Sequence, residues 1–225
     1  MTFSIVGRCP QTGQLGIAIS SSSIAVGARC PWAEANVGAV ATQNVTLPAL
    51  GQQVLDRLAE GQLAASDAMA DALAGDRWSA YRQVTVIDAQ GRTALFTGAQ
   101  ALGLTHAVAG EQCVAAGNML AGAHVIDAMA QAFGATPGAL PDRLLAAMHA
   151  GVAAGGEAGP VHSAALKVVG DVSWPIVDLR VDWAEEDPIG QLDALWQAYR
   201  PQMQDYLTRA LDPTTAPSYG VPGDE

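Results

Sequence analysis

The chain has 225 residues and a formal net charge of −11, with 50% hydrophobic but only 5% aromatic residues. This length suits one large domain or two small ones, and the apolar half is ample for a buried core. Lys167 is the only lysine. Because nucleic acids and anionic membrane surfaces are bound through clustered positive charge, neither is expected as a partner.

Targeting signals and cysteine usage indicate the compartment. The chain has three cysteines, Cys9, Cys30 and Cys113. This small, odd number gives no disulfide framework, which fits a reducing environment. The first ten residues lack a charged segment followed by a long apolar stretch, and no apolar run is long enough to span a membrane. We therefore expect a cytoplasmic protein.

Strands and helices alternate in groups along the chain. Strands are predicted over residues 3–8, 15–22, 37–42, 83–88, 93–97, 112–116, 163–169 and 176–181. Helices are predicted over residues 47–59, 66–73, 123–133 and 140–148, and from Pro188 onward, with Ser66 and Asp187 as N-caps. Pro201 should bend or break the last helix. Residues 1–211 are predicted to form a single domain, and residues 212–225 a Pro- and Gly-rich tail.

This order of elements predicts an α+β fold. Short hairpin loops imply mainly antiparallel sheets, and helices that bury one face must cover those sheets. A four-layer αββα sandwich with two mainly antiparallel sheets fits the order. A two-layer sheet with helices on one face fits the pattern almost as well.

The amino terminus carries the most informative chemistry. Methionine is usually removed when a small residue follows it, and here Thr2 follows Met1. Removal would leave a threonine that has both a hydroxyl and a free α-amine. With an ordinary pKa of about 7.7–8.0, the amine can accept the hydroxyl proton as the oxygen attacks a carbonyl. The alternative is that Thr2 is an ordinary frayed terminus.

Hydroxyl groups are expected to cluster around Thr2. Alternation along a strand places Thr2 and Ser4 on one face. A two-residue hairpin loop would put Thr2 opposite Ser23, and a four-residue loop would put it opposite Ser21. In either register Thr2 shares its face with Ser21 and Ser23, which are predicted to orient it.

Several segments in one order resemble a known family. They read MTFSIVGRCPQTGQLGIAISS, AVGARCPWAEANVGAVATQN, AAGNMLAG, GGEAGPVHSAAL and VDLRVDWAEEDPIGQLDALW, and they cover the chain to about Leu195. They are similar to an uncharacterised bacterial family of the Ntn-hydrolase-like (N-terminal nucleophile) superfamily. The resemblance implies the four-layer sandwich and places Thr2 at the position of the nucleophile.

The same resemblance points to two amides. Gln43 and Asn118 match polar positions of the family's pattern, and side-chain amides are good donors to an oxyanion. Asn118 could instead cap the next helix or satisfy a turn. Proteasome-type members of the superfamily use a lysine near the nucleophile, but Lys167 lies too late in the chain to be assigned that role.

Other candidates are weaker. His162 is interpreted as a hydrogen-bonding residue at a loop end or as a substrate contact, and Glu34 as a substrate-cleft carboxylate or a solvated surface acid. Glu157, His162 and Ser163 suggest a serine triad, but neighbouring residues on a strand face opposite ways. The four histidines lack metal-ligand spacing, so no metal and no cofactor is predicted.

The function predicted is hydrolysis of an amide, or of a related C–N bond such as an imine or enamine, in a small-molecule substrate. Thr2, Ser21 and Asn118 are the predicted catalytic residues. Ser23, Gln43, Glu34 and His162 are predicted to contact the substrate. The alternative is a non-catalytic ligand-binding or assembly protein that kept the fold. A homodimer or higher homo-oligomer is expected, because the apolar last helix and the tail would be poorly covered in a monomer.

Overall fold

The computed structural model describes residues 2–61 and 63–223. Its strands are β1 (Thr2–Arg8), β2 (Leu15–Ser21), β3 (Pro31–Glu34), β4 (Gly38–Asn44), β5 (Arg82–Asp88), β6 (Thr93–Thr97), β7 (His106–Gly110), β8 (Cys113–Asn118), β9 (Ser163–Val169) and β10 (Pro175–Val181). Its α-helices are α1 (Ala49–Ala59), α2 (Ala65–Ala74), α3 (His124–Ala135), α4 (Leu140–Ala153), α5 (Pro188–Tyr199) and α6 (Met203–Leu211).

The strands form two sheets. The larger has the order β10-β9-β2-β1-β8-β7, and the smaller has the order β3-β4-β5-β6. Each pair of neighbouring strands within the described residues is antiparallel. The predicted α+β fold with two antiparallel sheets is therefore confirmed. The first strand of the chain lies in the middle of the larger sheet.

Apolar side chains pack in three main regions. Helices α3, α4 and α5 cover the larger sheet, where Phe3 and Met148 belong to one core. Helices α1 and α2 cover the smaller sheet, where Val40 and Leu55 belong to another. A third cluster joins the two sheets and includes Val6. Strand β1 thus contributes side chains both to a helix-covered core and to the space between the sheets.

The alternation along β1 fixes which side chains enter that space. Phe3 and Ile5 lie in the core beneath α3 and α4, while Val6 lies in the cluster between the sheets. The Ser4 hydroxyl reaches across to Gln43 of the smaller sheet. Thr2 shares the face of Ser4 and Val6, as predicted, so its side chain is directed toward the smaller sheet.

Of the two predicted N-caps, the structure has one and lacks the other. Asp187 caps α5, its side chain accepting a hydrogen bond from the Gly190 amide at 2.9 Å, and the helix ends at Tyr199 before Pro201. The prediction that Ser66 caps α2 is wrong. The helix begins at Ala65, because burial of the Ala65 face sets its start, and Ser66 is an exposed residue of the first turn.

The last helices are better covered than the sequence suggested. Ile189, Leu192 and Trp196 of α5 are buried in the core of the larger sheet, so this face is not available to a partner subunit. Part of the tail folds back on α6, where Arg209 donates to the Pro217 carbonyl at 2.8 Å and stacks on Tyr219. None of the helices in the described part of the chain is long and apolar enough to cross a membrane.

Candidate functional site

Thr2 begins the central strand and is held by both of its neighbours. It pairs with Ser21 of β2 on one side and with Asn118 of β8 on the other. Its hydroxyl lies 3.1 Å from the Ser21 hydroxyl, and only 6% of the residue is exposed. Of the two hairpin registers considered, the structure therefore has the one that places Ser21 opposite Thr2. The predicted removal of Met1 concerns a residue outside the described ranges.

Ser21 and Ser23 occupy different positions relative to Thr2. Ser21 is the last residue of β2, and its hydroxyl also accepts a hydrogen bond from the Ser23 amide at 3.1 Å. Ser23 lies after the strand and is exposed. Its carbonyl accepts a hydrogen bond from the Ser163 hydroxyl at 2.6 Å. Ser23 thus supports Ser21 through its backbone.

A chain of buried side-chain amides lies between the sheets on the face of Thr2. The Ser4 hydroxyl donates to the side-chain Oε1 of Gln43 at 2.7 Å. The Gln43 amide nitrogen donates to the Ala116 carbonyl at 3.2 Å and to Gln83 Oε1 at 2.8 Å. Both N–H groups of the Gln43 amide are therefore engaged within the protein.

Gln83 of β5 links this chain to Asn118. Its Nε2 donates to the Gly117 carbonyl at 2.9 Å and to the Thr97 hydroxyl at 3.1 Å. Its Oε1 accepts from Gln43 and also from Asn118 Nδ2, at 3.1 Å. A backbone carbonyl can only accept, so the Gly117 contact fixes which end of the Gln83 amide is nitrogen. Gln83 was not identified from the sequence.

The orientation of Asn118 follows from the same chain. Because Gln83 presents an oxygen to it, Asn118 presents its nitrogen, and Oδ1 is left as a buried acceptor without a hydrogen bond to a described residue. Asn118 is the last residue of β8 and fully buried. It therefore neither caps α3 nor serves a turn, and its amide lies on the strand next to Thr2.

Glu157 is a second site residue whose position the sequence did not reveal. It forms an isolated antiparallel bridge with Leu120, two residues beyond Asn118, and only 5% of it is exposed. Burial raises the pKa of its carboxyl to about 8, and the polar groups of Ser22 lower it only in part. Neither carboxyl oxygen makes a hydrogen bond of normal geometry to a described residue.

His162 lies beside Ser21 but is engaged with the backbone. Its main-chain N–H donates to the Ser21 carbonyl at 2.8 Å, and its Nδ1 bonds the Ala184 carbonyl at 2.8 Å. Its ring stacks on Trp183, with centroids 4.4 Å apart. Since the Ser163 hydroxyl donates to Ser23, the structure does not assemble His162 and Ser163 into a triad.

Glu34 lies at the opposite end of the sheets from Thr2. It is the exposed last residue of β3 and lines a groove of about 510 Å³ together with Val169. Val169 pairs with Leu15, at the end of β2 remote from Ser21. The structure therefore does not bring Glu34 to the other candidate residues.

Lys167 is likewise placed away from Thr2. Lys167 lies in β9, where it pairs with Ile17 of β2, and its amine lies 3.3 Å from the Asp178 carboxylate. Within residues 2–61 and 63–223, no group of three or more His, Cys, Asp or Glu side chains is placed to hold a metal ion.

The comparisons with known proteins agree with this fold. Residues 2–192 match the model of a family of unknown function (DUF1028). The crystal structure of a Silicibacter pomeroyi protein described with the same family model is 34% identical, with a TM-score of 0.82 over 88% of each chain. No curated protein matches the chain.

More distant likenesses are to Anbu (ancestral beta-subunit) structures. The protein from Yersinia bercovieri is 12% identical over 90% of this chain and 96% of its own, with a TM-score of 0.42. The one from Hyphomicrobium sp. strain MC1 is 11% identical over 92% and 98%, with a TM-score of 0.40. The family match covers most of the chain, and the Silicibacter pomeroyi structure shares its fold. The chain belongs to the DUF1028 family.

Proposed function

We propose that this protein is an N-terminal-nucleophile hydrolase that cleaves an amide, or a related C–N bond, of a small molecule. One observation carries the proposal: Thr2 begins the central strand of the larger sheet, with its side chain buried between two sheets beside Ser21 and Asn118. The proposal requires that Met1 be removed, so that the nitrogen of Thr2 becomes a primary amine. The resemblance noted in the sequence supports the same assignment.

We propose further that the fold is the four-layer αββα sandwich. Support comes from the packing: α1 and α2 cover one sheet, α3 and α4 cover the other, and an apolar cluster lies between the sheets. In this arrangement a residue that begins a central strand and faces the other sheet is enclosed between the two sheets. A rigid setting of this kind suits a nucleophile that must be held in one orientation.

The reaction would proceed in two steps. The Thr2 hydroxyl oxygen attacks the substrate carbonyl carbon while the α-amine takes the hydroxyl proton, giving a tetrahedral oxyanion. The C–N bond then breaks, the leaving amine takes the proton from the α-ammonium, and an ester to Thr2 remains. Water hydrolyses the ester with the same amine as base, which releases the acid and restores Thr2.

The neighbouring side chains suggest distinct roles. Ser21 is within hydrogen-bond distance of the nucleophile and would orient its hydroxyl. Asn118 has one amide hydrogen bonded to Gln83, which leaves the other for the oxyanion. Gln43 has both amide hydrogens engaged, so we assign it the role of holding the chain of amides that supports Asn118.

A non-catalytic ligand-binding or assembly protein is the alternative, and one observation favours it. Thr2 is largely buried, whereas two grooves of about 560 and 510 Å³ lie at the far end of the strands, one lined by Cys9 and one by Glu34. Retention of Met1 in the purified protein would block the α-amine and favour this alternative. Intact mass measurement distinguishes the two cases directly.

The hydrolase is tested by changing only the amino terminus. A cleavable fusion yields the chain starting at Thr2, and a matched fusion leaves one extra glycine before it. On any amide or dipeptide that the first form cleaves, we expect Thr2→Ala and the glycine-extended form to lose more than about 10³-fold in kcat, because nucleophile or base is lost. Thr2→Ser should keep partial activity. Full activity in the alanine variant would remove Thr2 from the mechanism.

We also propose that the protein is a homodimer or a higher homo-oligomer. Several large apolar side chains are exposed, among them Trp183 at 48%, Leu195 at 42% and Leu211 at 62%. Association with a second copy would remove such apolar surface from water, and closed dimers are the commonest assemblies. Light scattering at micromolar concentration should give at least twice the mass of one chain. The mass of a single chain would contradict the proposal.

A further inference from the structure

Glu157 lies beyond the point at which β1 begins. Strands β2 and β8 run antiparallel to β1, and Ser21 and Asn118 are the partners of Thr2. The residues that follow Ser21 and Asn118 therefore continue beyond the start of β1, one segment on each side of it. Glu157 contacts both extensions: it bridges to Leu120 after β8, and it lies near Ser22 after β2. Glu157 thus lies between the segments that follow the two strands on either side of Thr2.

The backbone holds Glu157 firmly in this place. The Ala121 amide donates to the Gly156 carbonyl and the Ala158 amide donates to the Met119 carbonyl, both at 3.0 Å. These bonds, one on each side of Glu157, fix the segment against the end of β8. The carboxyl therefore has a defined position, whereas an acid on an exposed loop would be free to turn into solvent.

Among the residues that the structure describes, no cationic side chain pairs with this carboxyl. Ionised groups are rarely buried without a partner, because their loss of hydration is not offset. Only 5% of Glu157 is exposed. Neither of its carboxyl oxygens forms a hydrogen bond of normal geometry with a described residue. The two nearest histidines along the chain have other partners: His162 bonds the Ala184 carbonyl, and His149 lies 3.3 Å from the Asp193 carboxylate.

We propose that Glu157 binds the α-amine of Thr2 in the processed protein and positions it beside the threonine hydroxyl. This inference rests on the proposed function, since it requires Thr2 to be the N-terminal residue. An ammonium would offer the carboxyl both a positive charge and N–H donors. Glu157 acts through the amine, so it is a positioning residue and not a catalytic one.

The proposal has a consequence for protonation. An ionised carboxyl next to the ammonium favours its charged form, so Glu157 should raise the pKa of the Thr2 amine relative to the same site without the carboxyl. Because the two groups interact, their protons leave in steps that belong to the pair. Ser22 is the other polar neighbour, and no charged side chain of the described residues contributes to the shift at Glu157.

The experiment measures the amine itself, independently of turnover. Protein starting at Thr2, released from a cleavable fusion and labelled with [¹³C]threonine, is titrated by NMR, and the Thr2 signal is identified by its absence in Thr2→Ser. In Glu157→Gln the amine midpoint should fall by about one pH unit or more. Glu157→Asp should restore part of the shift. If a substrate is found, the acid limb of kcat/KM should move with the midpoint.

The matched control is Glu111→Gln, which makes the same chemical change at an exposed residue before Cys113, at the other end of β8. It should leave the midpoint unchanged. An identical midpoint in wild type and Glu157→Gln, both with native near-ultraviolet circular dichroism, would overturn the inference. Activity retained in Thr2→Ala would instead contradict the proposed function while leaving the amine titration valid.

Discussion

Gln83 is the residue whose replacement tests the amide chain most directly. It contacts Gln43, Asn118, Gly117 and Thr97, and it is fully buried. Methionine has a similar length and no hydrogen-bonding groups of comparable strength, so Gln83→Met removes the four contacts without opening a large cavity. The change therefore isolates hydrogen bonding from packing.

The magnitude follows from which groups lose their partners. The Gln43 amide keeps its bond to Ala116, but one of its hydrogens becomes unpaired, and Asn118 Nδ2 loses its recorded partner. Each buried donor left unpaired costs about 1–3 kcal/mol, giving roughly 2–6 kcal/mol for two. Burial of the methionine side chain offsets part of this, about 1.5 kcal/mol or more. We expect a net loss of about 2.5 kcal/mol, the middle of the resulting range.

Thermal and urea unfolding measure this loss. For a chain of this size, a loss of about 2.5 kcal/mol corresponds to a fall in Tm of about 5–10 °C. Thr97→Val is the matched control, because it removes one contact of Gln83 at a partly exposed residue and leaves the Gly117 bond; less than about 1 kcal/mol is expected. A Gln83→Met protein within about 0.5 kcal/mol of wild type would show that the amide chain does not stabilise the fold.

Two further predictions concern the cysteines and metals. Burial raises the pKa of the Cys9 thiol, but hydrogen bonds from Thr12 and Gln11 and the charge of Arg143 outweigh it, so the pKa is lowered overall. Burial raises the pKa of Cys30 and Cys113 to about 11. At pH 8 iodoacetamide should therefore modify Cys9 first, as peptide mass mapping would show; prior labelling of either other cysteine would contradict this. EDTA should leave any hydrolytic activity unchanged, and loss of activity with recovery on adding zinc or manganese would refute the prediction.

Local sequence pattern was sufficient for the elements that build the Thr2 end of the larger sheet. The alternation in β1 placed Thr2 and Ser4 on one face, and hairpin geometry limited the partner of Thr2 to Ser21 or Ser23. The prediction of β9 at Ser163–Val169 agrees with the structure at both ends. These features depend on short-range regularities, namely strand alternation and turn length, which are visible in a sequence.

The elements that were missed have weak local signals. Strands β3 and β7 are short edge strands, and β7 is largely half-buried, so neither shows a clear alternation of apolar and polar residues. Gln83 and Glu157 could not be recognised as site residues for a different reason. Their importance comes from contacts with residues more than 30 positions away in the chain, Asn118 for Gln83 and Leu120 for Glu157.

The contacts of Asn118 indicate why this site would need both sheets. Asn118 belongs to the larger sheet, yet within the described residues its side chain hydrogen bonds only to Gln83 of the smaller sheet. Gln83 is in turn held by Gly117, so a backbone carbonyl of β8 and an amide of β5 fix each other. If Asn118 stabilises an oxyanion at Thr2, the smaller sheet acts by orienting that amide. A substitution in β5 that never touches substrate should then lower kcat more than it changes KM, because the interaction it weakens is made in the transition state.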